Sequence, residues 1–146
     1  MNNFTLQPIP HLGFNGNCSE AFDFYAHLFG GKIVSKTTYA EFPPEMAFPD
    51  EAKGLIGNEM LELPGGAMLY GGDTPPGMSY TPMAGLMITI NFPTIEQAQH
   101  VFDALADNGE VMMPFAPTFW AEKFGFVTDK YGVRWGVNGN LGPSGK

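Results

Sequence analysis

The sequence predicts an α+β fold: two βαβββ modules forming a curled mixed sheet around a concave pocket. Three observations lead there. The apolar patterning runs strand, helix, three strands, then a proline-rich linker, and then the same order again. The helical anchors Tyr25 and Leu28 recur as Phe102 and Leu105, each 77 residues further on, close to half the chain. Glycine (19) and proline (13) are abundant, which favours many short strands and turns over a helical bundle.

Each element has its own signal. Residues 7–14 read as a first strand, with Pro8 and Pro10 suited to its start or to an edge. Asn17 is a candidate helix cap, with Glu20 completing a capping box. Ala21, Phe22, Tyr25, Leu28 and Phe29 share one helical face, and Gly30-Gly31 stops the helix. Residues 32–41 are β-branched and alternate as a strand does. Residues 42–53, with three prolines and interspersed acids, read as an exposed, mobile loop. Strands follow at 54–63 and 67–71, joined by the turn Pro64-Gly65-Gly66.

The first module therefore covers 1–72, a linker 73–84, and the second module 85–146, all within a single domain of 1–146. In the second module, 85–92 is a strand and Thr94 with Gln97 forms a capping box. Ala98, Val101, Phe102 and Leu105 give the helical face, Asn108-Gly109 ends it, and 110–114 is the next strand. The module closes on an aromatic loop and hairpin, 119–137, which holds both tryptophans. Asp129 opens its turn and Gly132 closes it, as a type I turn prefers.

Composition excludes several function classes. The net charge is −8 and the seven basic residues form no cluster, so neither nucleic acid nor an anionic membrane surface is an expected partner. No apolar run approaches the roughly 18 residues of a membrane span, and the first residues lack a signal-peptide pattern. With Cys18 as the single cysteine, an internal disulfide is impossible, and a cytoplasmic location is expected. Cys18 itself reads as structural. No glycine-rich segment precedes a helix with phosphate-loop spacing, so nucleotide binding is not expected.

Two motifs go further. Phe14-Asn15-Gly16-Asn17-Cys18-Ser19-Glu20-Ala21-Phe22-Asp23-Phe24-Tyr25 follows the first strand. Phe119-Trp120 with Phe124-Gly125 and Thr128-Asp129-Lys130-Tyr131-Gly132-Val133-Arg134-Trp135 closes the chain. Together they resemble the vicinal oxygen chelate superfamily, the glyoxalase and bleomycin-resistance fold, in its PhnB-like branch. The resemblance covers nearly the whole chain and implies paired βαβββ modules, a homodimer and a small-molecule ligand or substrate. It does not name a reaction, because one fold hosts many.

Metal-dependent members of that superfamily place one ligand on each of four strands, where a divalent ion polarises paired substrate oxygens. Here those positions fall on His11, Met68, Met87 and Val137. Only His11 is a donor of the expected kind, since thioethers suit soft copper(I). No metal ligand set and no cofactor are therefore expected. Glu59 and Glu62 read as surface or rim carboxylates, and His27 and His100 as solvated.

Alternation places Ile9, Met68, Tyr70, Met87, Thr89, Trp135 and Val137 on the concave side with His11. The expected ligand pocket is His11, Met68, Tyr70, Met87, Thr89, Phe119, Trp120 and Trp135: an apolar and aromatic wall with a few polar points. The expectation is a small-molecule-binding protein with its conventional metal site not intact. The alternative is a metal-dependent lyase, isomerase or dioxygenase of the same superfamily, with a carboxylate such as Glu59 or Glu62 joining His11. Catalytic residues are not assigned.

Overall fold

The computed structural model describes residues 4–141. The chain divides into two compact units, Met1–Ser79 and Tyr80–Lys146. Each holds one helix and one four-stranded mixed sheet, so the fold is α+β.

In the first unit the elements are β1 (His11–Phe14), α1 (Cys18–Phe29), β2 (Lys32–Thr38), β3 (Ile56–Glu62) and β4 (Met68–Asp73). The sheet order is β1-β4-β3-β2, with β1 parallel to β4 and the other pairs antiparallel. One face packs under α1: Leu12, Phe14, Leu61 and Leu69 are buried there against Phe22 and Tyr25. Gly71 lies beneath Phe22, where a Cβ would come within 2.8 Å of the ring. That close approach is why the strand has no side chain at this point.

The start of α1 departs from the sequence expectation. Asn17 precedes the helix but its side chain makes no capping hydrogen bond. The cap comes from β4 instead: the buried Asp73 carboxylate accepts from the Cys18 N–H at 2.9 Å and from the Ile56 N–H at 2.9 Å. One carboxylate thereby satisfies a helix N-terminus and a strand end together. The C-terminus is as expected, with Gly30 left-handed at φ 72° and Gly31 N–H returning to the Ala26 carbonyl.

Residues 39–52 are more ordered than their prolines suggest. Two single 3₁₀ turns, Pro44–Met46 and Asp50–Ala52, replace the expected open loop, and a third, Tyr39–Glu41, replaces the end of the strand expected at 32–41. Tyr39, Phe42 and Phe48 pack on one another with ring centroids 4.5–5.5 Å apart, and Tyr39 donates its hydroxyl to the Asp73 carbonyl. Apolar area from three rings gives this segment a small core of its own.

The second unit repeats the order: β5 (Ile88–Phe92), α2 (Ile95–Ala106), β6 (Glu110–Ala116), β7 (Ala121–Thr128) and β8 (Arg134–Leu141). Its sheet order is β5-β8-β7-β6, with β5 parallel to β8. Thr94 caps α2 as expected, accepting from the Gln97 N–H at 3.2 Å. Ala98, Val101, Phe102 and Leu105 are the buried face of α2.

The β7–β8 turn is built around Asp129. Gly132 N–H returns to its carbonyl at 2.9 Å, and Gly132 is left-handed at φ 88°. The buried Asp129 carboxylate accepts from Tyr131 N–H (2.9 Å), Val133 N–H (3.0 Å) and the Trp135 indole N–H (2.8 Å).

Candidate functional site

Each sheet has one face under its helix and one open face, and strand alternation decides which residues occupy each. In the first unit the β1–β4 register pairs His11 with Tyr70, and the β3–β4 register pairs Met60 with Tyr70 and Glu62 with Met68. Since Leu12, Phe14, Leu61, Leu69 and Gly71 face α1, the open face carries His11, Met68, Tyr70, Met60 and Glu62. His11 is exposed, and Met68 and Tyr70 are half-buried. The structure thus brings His11, Met68 and Tyr70 onto one surface. His27 and His100 are exposed on their helices.

Glu59 belongs to the opposite face. It is neither a surface nor a rim residue: it is fully buried beneath α1. Its Oε1 accepts from the Cys18 thiol at 3.7 Å, and among the described residues its Oε2 has no hydrogen-bond partner. Burial pushes its pKa up to about 7 against the pull of the Lys36 ammonium, with Asp23 and Asp73 adding repulsion. Burial, with Glu59 and Asp73 beside it, also pushes the Cys18 thiol far up, so it is held protonated.

In the second unit the face under α2 is fixed by two glycines. A Cβ at Gly125 would run into the Phe102 ring, and one at Gly139 would lie 3.0 Å from the Ala98 Cβ. Gly125 pairs with Val137, so Trp135, Val137 and Gly139 of β8 all face the helix. Trp135 is fully buried with its indole bonded to Asp129, and is core rather than wall. The expectation that Trp135 and Val137 join the open face is corrected by one residue of register.

The open face of β8 is therefore Arg134, Gly136 and Asn138. Around them stand Thr89 and Asn91 of β5, paired with Gly136 and Asn138, and Phe124 and Phe126 of β7, paired with Asn138 and Gly136. Met87 reaches over Gly136, where a Cβ would be 3.1 Å from its sulfur. Arg134 lies over the Phe126 ring, 4.9 Å from its centroid.

Trp120 completes this surface. The turn before β7 is tied by Thr118, whose hydroxyl accepts from the Ala121 N–H at 3.2 Å. That turn sets Trp120 edge-on to Phe124 (5.3 Å) and to Phe119 (4.9 Å). The Trp120 indole donates to Asn138 Oδ1 at 2.9 Å, and Asn138 Nδ2 donates to Asn91 Oδ1 at 2.9 Å. Phe119 is 87% exposed, so it reaches into solvent at the edge of the cluster.

Of the expected wall residues, Met87, Thr89 and Trp120 share this face and Phe119 stands beside it. Asn91, Phe124, Phe126, Gly136 and Asn138 were not foreseen. Gly125 and Gly139, which mark where a helix lies close, are the sequence signal that points to them.

The donor set does not fit the divalent ion of the superfamily's metal-dependent members. Among the described residues, no three of His, Cys, Asp and Glu come together so as to hold a metal ion. The strand positions concerned carry two thioethers, Met68 and Met87, and the aliphatic Val137, apart from His11.

The comparisons with known proteins agree with this architecture. Residues 9–137 match the model of the Glyoxalase/Bleomycin resistance protein/Dioxygenase superfamily. The chain is 33% identical to Protein YjdN of Escherichia coli (strain K12) over 141 residues, covering 88% of this chain and 92% of that one. Among solved structures, protein PA1353 from Pseudomonas aeruginosa is 36% identical with a TM-score of 0.84, covering 92% of this chain and 97% of that one. The PhnB protein from Bacillus cereus is 28% identical with a TM-score of 0.75, covering 91% and 98%. With the repeated βαβββ order, the model match over most of the chain and relatives of this similarity, the protein belongs to the Glyoxalase/Bleomycin resistance protein/Dioxygenase superfamily.

Proposed function

We propose that the protein binds a small organic molecule, with the open face of the second unit supplying the stacking surface. The observation that carries this is Trp120: a half-buried indole, held by Asn138 and braced edge-on by Phe119 and Phe124. An aromatic ring fixed before binding loses little entropy when a planar molecule stacks on it. Stacking of this kind adds about 1 kcal/mol beyond the area it buries. Met87, unbranched and 38% exposed, adapts the rim to irregular shapes. On the first unit, His11 and Tyr70 offer hydrogen-bonding groups beside the apolar Met68.

Family membership supports a small-molecule role without naming the ligand. The homodimer and the cytoplasmic location belong to the same proposal. The metal-dependent lyase, isomerase or dioxygenase is the weaker reading, because among the described residues no three such donors gather to hold a metal and Glu59 faces the interior.

Titration with anilinonaphthalene sulfonate, a planar apolar probe, tests the proposal. Saturable binding with quenching of Trp120 emission is expected, and Trp120→Ala weakens it about tenfold. Equal affinity in wild type and Trp120→Ala sinks the assignment of the surface. Metal analysis of protein purified without chelator is the companion measurement: a tightly held divalent ion in every subunit overturns the metal-free form of the reading.

A further inference from the structure

The hydrogen-bond chain across the open face of the second unit has a direction, and the direction selects a ligand. An indole N–H donates and never accepts. Trp120 Nε1 bonded to Asn138 at 2.9 Å therefore fixes the contacted atom as the carboxamide oxygen. Asn138 must then turn its NH₂ toward β5, where it meets Asn91 at 2.9 Å. A donor at that contact fixes the Asn91 oxygen inward and its NH₂ outward. Asn91 is exposed, and among the described residues its NH₂ group has no acceptor. Trp120 thus sets the polarity of a group two links away.

We infer that the Trp120–Asn138–Asn91 chain makes the site a hydrogen-bond donor, so that the ligand is a planar apolar molecule bearing an acceptor oxygen, such as a ketone or carboxylate. This rests on the proposed binding role of the same face and adds the chemical class of what is bound. The surroundings agree. Arg134, on the same face of β8, adds a cation roughly 13 Å along the strand from Asn138 at ~3.3 Å per residue. Asn138 is buried and bonded through both carboxamide atoms, so it is held against flipping. Asn91 is the specificity-determining end of the chain: it offers a neutral N–H on this face, beside the Thr89 hydroxyl and apart from the Arg134 cation.

The test uses two neutral probes of nearly equal shape, methyl naphthyl ketone and ethylnaphthalene, measured by quenching of tryptophan emission. Wild type is expected to bind the ketone about five- to tenfold more tightly, the value of one hydrogen bond. In Asn91→Asp the inward oxygen still accepts from Asn138, so the chain stays intact, but the outward group changes from donor to acceptor. The ketone preference, read as the ratio of the two affinities within the variant, is then expected to vanish. A preference for the ketone that survives in Asn91→Asp, or equal affinity of the two probes for wild type, overturns the donor assignment and leaves the binding surface standing. Failure of both probes to bind wild type overturns the binding surface itself, and the donor assignment with it.

Discussion

The two units share one strand order and one helix position, yet what lies under the helix differs. Beneath α2 the sheet presents Val127, Trp135 and Val137, an apolar layer. Beneath α1 it presents Glu59 and Asp73 beside Cys18. Each unit buries one aspartate that ties local backbone, but the ties differ. Asp73 joins a helix start to a strand end, whereas Asp129 closes a turn on itself and holds the Trp135 indole. The open faces differ in the same sense. The first carries His11, Met68 and Tyr70, and the second an aromatic cluster locked by carboxamides. A repeated backbone therefore fixes the layers and leaves the chemistry of each layer free. The first unit holds the titratable interior and the second the rigid surface.

The strongest way to break this contrast is at Asp129. Asp129→Ala leaves two backbone N–H groups and an indole N–H buried without their acceptor. A loss of about 3–5 kcal/mol is expected, since each orphaned buried donor costs about 1–3 kcal/mol and the effects overlap. A urea midpoint unchanged from wild type removes Asp129 as the keystone of the second unit. Next in size is Gly125→Ala. Its Cβ meets the Phe102 ring directly, and overpacking of that kind costs about 1–3 kcal/mol. Gly136→Ala, on the other face, meets the flexible end of Met87 and the Phe124 ring at 3.1 Å, against a closer approach to the Phe102 ring at Gly125, and is expected to cost less than Gly125→Ala. The reverse ranking in thermal unfolding would mean that the helix-facing and open-facing sides have been exchanged.

Those glycines also show what the sequence made legible. Helices, strands and turns followed from local chemistry: Thr94 with Gln97, Gly30, and Asp129 with Gly132 each act within a few residues. So did the placement of His11, Met68, Tyr70 and Thr89 on their strands, whereas Met87 precedes β5. Two kinds of information were out of reach. Asn17 carries the right side chain for a cap, but the cap comes from Asp73, 55 residues beyond Cys18, and no local pattern reports that. Trp135 carries the right side chain for a ligand wall, but a strand's face flips with one residue of register. Counting from the family's metal position put Val137 on the open side. Counting from Gly125 and Gly139, where a close helix leaves no room for a Cβ, puts it inside. Glu59 misleads for a related reason. Carboxylates are almost never fully buried, so a glutamate beside Asn58 reads as surface.

Glu59 is the third lever, and its sign can be worked out. Its folded pKa of about 7 lies above the ordinary 4.5, so the folded state holds the proton more tightly than the unfolded one. Stability from this group is full below about 4.5 and is lost as pH rises through about 7. Glu59→Gln keeps the shape and removes the charge. Between pH of about 5 and 8, wild type is expected to lose melting temperature and Glu59→Gln to lose less. Parallel pH profiles for the two proteins would show that Glu59 is not the titrating group.

Cys18 reports where that loss occurs. It is fully buried at the start of α1, its thiol is pushed up by burial and the two carboxylates beside it, and alkylation requires the thiolate to meet water. Labelling by iodoacetamide in folded protein therefore follows opening of the α1 start rather than intrinsic thiol reactivity. At a pH of about 8 the ionised Glu59 faces Asp73 and Asp23, with Lys36 and the Cys18 thiol hydrogen bond to offset them. The α1 start is then expected to open more often in wild type than in Glu59→Gln, and Cys18 to be labelled faster. Asp129→Ala strains the other unit, so at equal overall stability it should label no faster than wild type. Equal labelling of wild type and Glu59→Gln at high pH would mean that Glu59 ionisation is not felt at α1, and the contrast between a titratable interior and an apolar one would lose its mechanical consequence.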